Sequence, residues 1–297
     1  MKSKTEVVPL DSDWLRAYPL PEPAPDTDKN GRGRVMAIGG CTTVPGGLLL
    51  TAEAALRAGA GKMQIATIQS VAMLIGLHMP EAAVIALEQT EAGEIAKGCA
   101  EKLRPRLART DAVIAGPAMG CADAAAQILG EVLELAAPET VLIVDAAALT
   151  KLEQHRKALR ERPQPALLTP HIGEIAAMLG MGAEAIDADR ESAVRQAADH
   201  FNAVCVLKGA RSLIAAPDGA LFAFAGGGVG LATGGSGDVL AGIAAGLAAR
   251  GASPLDAALW AVWLHGEAGR RCAETEGPVG FLARELLAHV PRLMRGL

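Results

Sequence analysis

The chain has 297 residues, about half hydrophobic and few aromatic, with 34 glycines, which allows one large or two small domains with a substantial core. Its formal net charge of −5 carries no block of like charges, which argues against nucleic acid as a partner, since that binding rests on basic patches. Cys41, Cys99, Cys121, Cys205 and Cys272 form no Cys-x-x-Cys pair, which argues against structural zinc and a disulfide framework. There is no apolar leader near Met1 and no run of about 18 uncharged apolar residues, so a soluble, cytoplasmic protein without membrane contact is expected.

Residues 1–30 hold Pro9, Pro19, Pro21, Pro23 and Pro25, which predicts an extended proline-rich N-terminal arm. Residues 31–297 then read as a single domain. Strand patterns cover 34–38, 63–67, 83–87, 112–115, 141–144, 203–207, 212–215 and 221–225. Helical patterns between them cover 47–57, 91–108, 122–136, 173–179 and 187–200, and everything after Asp238 reads as helix: 238–250, 255–274 and 280–294. This alternation predicts an α/β fold with βαβ units and a mostly parallel sheet in a three-layer domain. The turn Pro217-Asp218-Gly219 predicts a hairpin, and thus an antiparallel edge.

In open α/β sheets the ligand lies beyond the carboxyl ends of the strands. Gly39-Gly40, Gly116-Pro117, Asp145, Thr169-Pro170-His171 and Lys208-Gly209 all fall at such ends. The stretch Gly230-Leu-Ala-Thr-Gly-Gly-Ser-Gly-Asp238-Val-Leu-Ala-Gly242 belongs to the same rim. Gly234, Gly235 and Gly237 let main-chain N–H groups approach an anion, and a helix starting there adds its partial positive charge. Asp238, in the first helical turn, is placed to remove a proton from a substrate hydroxyl. The bland alternative is a glycine turn whose Asp merely complements the helix dipole. The stretch lacks the Gly-Lys-Ser/Thr of a Walker loop and the dinucleotide fingerprint.

The remaining candidates are less specific. Lys208 and Arg211, with Gly209 between them, suit a nucleotide phosphate or a plain solvated hairpin. Thr169 and Pro170 read as the cap and first turn of a helix. His171 could hydrogen-bond a substrate. Glu174 could hold a metal-bound water or simply favour the helix N-terminus. Gly120 could line a pocket, or belong to an ordinary strand-to-helix turn. Asp145 could be a metal or ribose ligand or a helix cap. His265 lies on a mostly apolar helix and reads as a core or partly exposed histidine outside the site.

Together these residues resemble the ADP- or ATP-dependent NAD(P)H-hydrate dehydratase family, which has the ribokinase-like fold. The likeness runs from about Asn30 to His265. It rests on Gly31-Arg-Gly-Arg-Val with Ile38-Gly-Gly40, Ala54-Ala-Leu-Arg-Ala-Gly-Ala-Gly61, Leu168-Thr-Pro-His-Ile-Gly-Glu174, Val206-Leu-Lys-Gly-Ala-Arg211 and the 230–242 stretch, in the family's order. No epimerase domain precedes them, so a stand-alone dehydratase is expected. The resemblance implies phosphoryl transfer from ADP (or ATP) to the hydroxyl of hydrated NADH or NADPH, then loss of phosphate, leaving NAD(P)H and AMP. It implies Asp238 as the base. It implies Gly47, Gly120, His171 and Asp238 at the hydrate. It implies Lys208, Gly209, Ala210, Arg211, Ser212, Gly234, Gly235, Ser236 and Gly237 at the nucleotide, with Mg2+ on the phosphates. Glu174 is a candidate metal-side carboxylate, and a homo-oligomer, by family expectation a tetramer, is expected. The same loop and base would also serve a ribokinase-like kinase of a vitamin alcohol, or a non-catalytic nucleotide sensor.

The chain departs from the family's pattern at several points. Asp145-Ala-Ala-Ala-Leu-Thr150 stands for Asp-Ala-Asp-Ala-Leu-Asn, Gly116-Pro-Ala-Met-Gly120 for Gly-Pro-Gly-Leu-Gly, and Gly228-Val-Gly230 for Asn-Pro-Gly. Gly47 stands for an alanine. Alanine at 147 in place of the family's acidic residue touches neither Asp238 nor the glycine loop, so an active enzyme is expected.

Overall fold

The computed structural model describes residues 6–295. Ten strands form one sheet: β1 Val7–Pro9, β2 Arg34–Ile38, β3 Lys62–Ile68, β4 Ala82–Leu87, β5 Ala112–Ala115, β6 Val141–Val144, β7 Leu167–Leu168, β8 Val204–Leu207, β9 Arg211–Ala215 and β10 Leu221–Ala225. Their order across the sheet is β1-β10-β9-β8-β7-β6-β5-β2-β3-β4. From β8 to β4 every neighbouring pair is parallel. The central strands β5, β6 and β8 are buried along their whole length. A parallel strand without a wet side needs helices over both faces, and its sequence becomes a continuous apolar run. This is the expected three-layer α/β arrangement.

The antiparallel edge is the meander β8–β9–β10, in which only β9 is reversed. Outside it lies β1, parallel to β10. The arm expectation for residues 1–30 therefore needs correction over 7–18. Val7–Pro9 is a sheet strand, and Ser12–Ala17 is a helix capped by Asp11 that buries Leu15 completely. Trp260 Nε1 donates to Tyr18 O at 2.9 Å, docking this segment on the long Pro254–Thr275 helix. Apolar Leu10, Trp14 and Leu15 among the polar residues outweigh the prolines, which govern only the irregular path beyond Tyr18. Residues 1–5 of the expected arm lie outside the described residues.

Three helix expectations also change. The span 91–108 is not one helix: residues 91–98 form turns closed by a bridge between Gln89 and Ile95, followed by the short helices Cys99–Leu103 and Arg104–Leu107. Gly93 and Gly98 adopt φ of 77° and 80°, which no α-helix accommodates. The span 187–200 divides at Asp189, which ends Ala183–Ala188 and caps Arg190–Phe201. The span 280–294 divides into Ala283–Leu286 and Val290–Arg295. Conversely, Gln69–His78 is helical. It is apolar on several sides and so shows no amphipathic period to read.

One helix pair sets the site. Ser236–Ala249 crosses Gly47–Arg57 at very close range. A Cβ at Gly242 would lie 2.2 Å from Thr51 O, and one at Gly246 would lie 2.3 Å from Ala55 O. Only glycine permits this approach, and it brings the N-terminal turns of both helices together.

Candidate active site

Contacts knit the carboxyl ends of the parallel strands into one rim. Gly40 N donates to Pro117 O at 3.0 Å, joining the ends of β2 and β5. Thr169 Oγ1 donates to Asp145 Oδ1 at 2.7 Å, joining β7 to β6, and Lys208 N donates to Pro170 O at 2.9 Å, joining β8 to β7. The five predicted strand ends thus meet, as the topology rule requires.

The glycine loop completes this rim. Gly235 takes φ of 87° and starts the Ser236–Ala249 helix with no side-chain cap. Ser236 N closes a turn on Thr233 O, and Val239 N bonds Gly235 O. Among the described residues, the N–H groups of Gly237 and Asp238 have no acceptor. Two aligned free amides at a helix start form an anion site.

Asp238 sits beside them, largely buried. Burial first, and the Asp145 carboxylate second, push its carboxyl up to about 7, with Lys208 partly offsetting both. A carboxylate that half-titrates near neutrality is a suitable proton acceptor. Its Oδ2 lies 3.5 Å from the position a Cβ would take at Gly47. The two residues the resemblance assigns to one substrate are therefore adjacent.

Lys208 connects these parts. Its Nζ is 3.1 Å from Asp145 Oδ1 and 3.7 Å from Glu174 Oε2. It also lies 3.5 Å from a Cβ built on Gly237, so the ammonium faces the loop. Burial lowers the Lys208 pKa, but Asp145 and Glu174 outweigh it and hold the cation. Asp145 is only 2% exposed and makes no cap bond to the turn it opens. It is the buried counter-ion of Lys208, a role outside the readings offered by the sequence.

His171, not Thr169, caps the helix Ile172–Leu179. Its Nδ1 accepts from Gly173 N at 3.0 Å and Glu174 N at 3.2 Å, while Glu174 Oε2 accepts from His171 N at 2.8 Å. This is a reciprocal capping box. It corrects the expectation that Thr169 caps and Pro170 starts the helix, because Thr169 is drawn inward to Asp145. With Nδ1 occupied as acceptor, His171 turns Nε2, 3.5 Å from Glu174 Oε1, to the rim on a side chain that is 60% exposed. Burial raises the Glu174 pKa, with Lys208 opposing.

Other candidates are placed less centrally. Arg211 is exposed and paired with Glu191 at 2.9 Å. Ser212 Oγ donates back to Gly209 O, and Ala210 and Gly234 are exposed. Gly120 donates its N–H to Glu94 Oε1 at 3.0 Å. Glu94 is buried and its Oε2 has no partner. The helical composition of 91–98 hides Glu94 in the sequence. Contrary to the expectation that His265 lies outside the site, its Nε2 is 2.9 Å from Ser236 Oγ inside the loop. Burial holds its imidazole neutral, with a pKa down to about 4. A single histidine on a mostly apolar helix carries no sequence signal of a contact with a different helix.

Among the described residues no set of three His, Cys, Asp or Glu side chains could hold a metal ion. Asp145 and Glu174 are already engaged by Lys208. This donor set suits an ion carried in by phosphate oxygens better than a protein cage. A cavity of about 880 Å3 runs from Gly46 and Gly234 along Leu50 and Glu53 to His78, and so opens beside the loop. A second, of about 680 Å3, is lined by Arg34, Asp111 and Ser253 at the opposite ends of the strands, away from the chemistry.

Comparison with known proteins agrees with this geometry. The profile of the NAD(P)H-hydrate dehydratase family matches residues 35–292. The chain is 44% identical over 286 residues to the ADP-dependent (S)-NAD(P)H-hydrate dehydratase of Xanthomonas campestris, covering 95% of this chain and 96% of that protein. It is 37% identical to the bifunctional NAD(P)H-hydrate repair enzyme of Moorella thermoacetica, covering 97% of this chain but only 54% of that protein. The chain thus spans about half of such bifunctional relatives. Its fold matches the crystal structure of the ADP/ATP-dependent NAD(P)H-hydrate dehydratase of Bacillus subtilis, co-crystallized with ATP/Mg2+, at a TM-score of 0.80 and 29% identity, over 98% of both chains.

Proposed function

The chain belongs to the NAD(P)H-hydrate dehydratase family, and from that premise we propose that it repairs hydrated NADH and NADPH with ADP. The observation that supports this most is Asp238, raised to about 7 and set beside two free helix-start amides. Asp238 accepts the proton of the hydrate hydroxyl. The hydroxyl oxygen bonds to the β-phosphorus, and the bond to the α–β bridging oxygen breaks, leaving AMP. The amides of Gly237 and Asp238, within the loop Gly234 to Gly237, and the Lys208 ammonium stabilise charge on the moving phosphoryl group. The phosphate ester then leaves with a proton from the adjoining ring carbon, which restores the ring double bond.

Gly47, Gly120 and the Nε2 of His171 bound the hydrate. Lys208, Gly209, Ala210, Arg211, Ser212 and the loop bound the nucleotide, with His265 fixing Ser236. Mg2+ carried in on the phosphates would supply charge neutralisation there, and Glu174, whose Oε2 lies 3.7 Å from Lys208 Nζ, would meet its water shell in competition with that ammonium. No helix among the described residues is long and apolar enough to cross a membrane, and we place the protein in the cytoplasm with its coenzyme substrates.

Incubation with hydrated NADPH and ADP tests this reading. Return of reduced-nicotinamide absorbance with equimolar phosphate and AMP is expected, faster than with ATP. A stable phosphate ester would instead mark a kinase of the same fold, and nucleotide binding without turnover would mark a sensor.

We also propose a homotetramer. Met73 and Leu77, each 78% exposed, and Leu74 form one apolar face of the Gln69–His78 helix, and such a patch suits a second copy of the chain. Light scattering is expected to give a tetramer for the wild type and smaller species for Leu77→Asp. A wild-type monomer would refute the assembly.

A further inference from the structure

Two residues at this site cannot both carry a side chain. A Cβ built at Gly47 would lie 2.7 Å from the Cβ of Ala118 and 3.5 Å from Asp238 Oδ2. Carbon atoms do not pack at the first distance, so something would have to shift. Gly47 is buried in the first turn of its helix, while Ala118 is half-buried. Ala118 also holds φ of 55°, in the left-handed region that glycine enters freely and a residue with a Cβ enters under strain. Strain of this kind persists where the surroundings over-determine it, commonly at ligand clamps.

We propose that Ala118 is a specificity-determining residue of the hydrate pocket. From the turn after β5, its methyl fills the space that a side chain at 47 would fill from the facing helix. It forms the wall next to Asp238. Glycine at 47 and alanine at 118 thus share one methyl-sized space across the site, which only one of them fills. The inference rests on the dehydratase reading above. It adds that positions 47 and 118 act as a unit, and that the unit sets how the hydrate meets the base.

A double-mutant cycle tests this with wild type, Gly47→Ala, Ala118→Gly and the double variant. Gly47→Ala alone is expected to raise the KM for hydrate about tenfold or more, because the displaced wall moves the substrate against Asp238. The KM for nucleotide stays within about twofold, a split that general loosening of the fold would not produce. Ala118→Gly relieves the backbone strain but opens the wall, raising hydrate KM about threefold. The double variant is expected to return to within about threefold of wild type.

Single effects that simply multiply in the double variant would overturn the proposal. So would equal losses for hydrate and nucleotide. If Gly47→Ala does not fold, a folded and active double variant supports the coupling, and an unfolded one refutes it. A wild-type chain that turns over no hydrate removes the functional reading as well. An active wild type with multiplicative effects removes this inference alone.

Discussion

Asp238→Asn is expected to lower hydrate turnover by about 10^2- to 10^4-fold, the span that general-base catalysis contributes, while nucleotide still binds. The amides of Gly237 and Asp238, proposed above as the phosphoryl site, are main-chain groups and survive the substitution. In the wild type, kcat/KM for the hydrate should rise with pH through a midpoint near 7, because the base must be unprotonated and burial holds the Asp238 carboxyl at about 7. The variant should lose that limb of the profile. A profile flat between pH 6 and 8, or an Asp238→Asn variant with wild-type turnover, removes Asp238 from the chemistry.

The same group affects stability, with a definite sign. Its pKa rises from 3.8 to about 7 on folding, so the folded state holds the proton more tightly than the unfolded chain. Its stabilising contribution is complete below about pH 4 and is lost as pH rises through 7. Above pH 7 the buried charge destabilises the fold. After discounting for residual solvent, Asp238→Asn should stabilise the protein by about 1–3 kcal/mol at pH 8, and by far less at pH 4. Denaturant titrations at the two pH values check this. A variant less stable than wild type at pH 8 contradicts it. Such a residue, unfavourable to the fold and favourable to the reaction, is common at active sites.

Lys208→Met is the second large effect. It strips the cation from Asp145, which is only 2% exposed and, among the described residues, then keeps the Thr169 hydroxyl as its hydrogen-bond partner. Removing one member of a buried pair costs about 3–5 kcal/mol, mainly as the penalty of the charge left behind. The expected signature is partial rescue. Adding Asp145→Asn to Lys208→Met should recover part of the lost stability, because the orphaned charge is gone. Activity should not return, since the ammonium that faces Gly237 is still missing. The pH profile supplies a further readout. Lys208 lowers the Asp238 pKa, so any residual activity of Lys208→Met should have its midpoint above that of wild type. A double variant no more stable than Lys208→Met would show that the pair carries little energy.

Much of the site is readable because its signals are local. Apolar runs at 112–115, 141–144 and 204–207 become central strands wherever a sheet buries both faces. Gly234, Gly235 and Gly237 before an alanine-rich helix declare an anion loop through backbone freedom alone. The end-of-strand rule then collects Asp145, His171 and Lys208 on one rim without any distance being known.

Where local signals compete, the chain is misread. The residues 91–98 have helical composition, but left-handed glycines at 93 and 98 turn the chain, and Glu94 escapes notice. Leu10 and Leu15 tie the leading segment into the sheet and its helices although prolines crowd its sequence. Thr169 has the chemistry of a cap, yet Asp145 claims its hydroxyl and His171 takes the role.

The sequence by itself determined the layer architecture, the glycine turn at the start of the Ser236–Ala249 helix and the place of Asp238 in its first turn, because strand period, helix starts and glycine freedom depend on a few consecutive residues. Only the tertiary structure decided that Lys208 pairs with Asp145, that His265 reaches Ser236, that Ala118 crowds a side chain at 47, and that burial and the Asp145 carboxylate push the Asp238 pKa up. Those facts depend on burial and on distances between residues far apart in the chain, and close packing of the layers is what sets both.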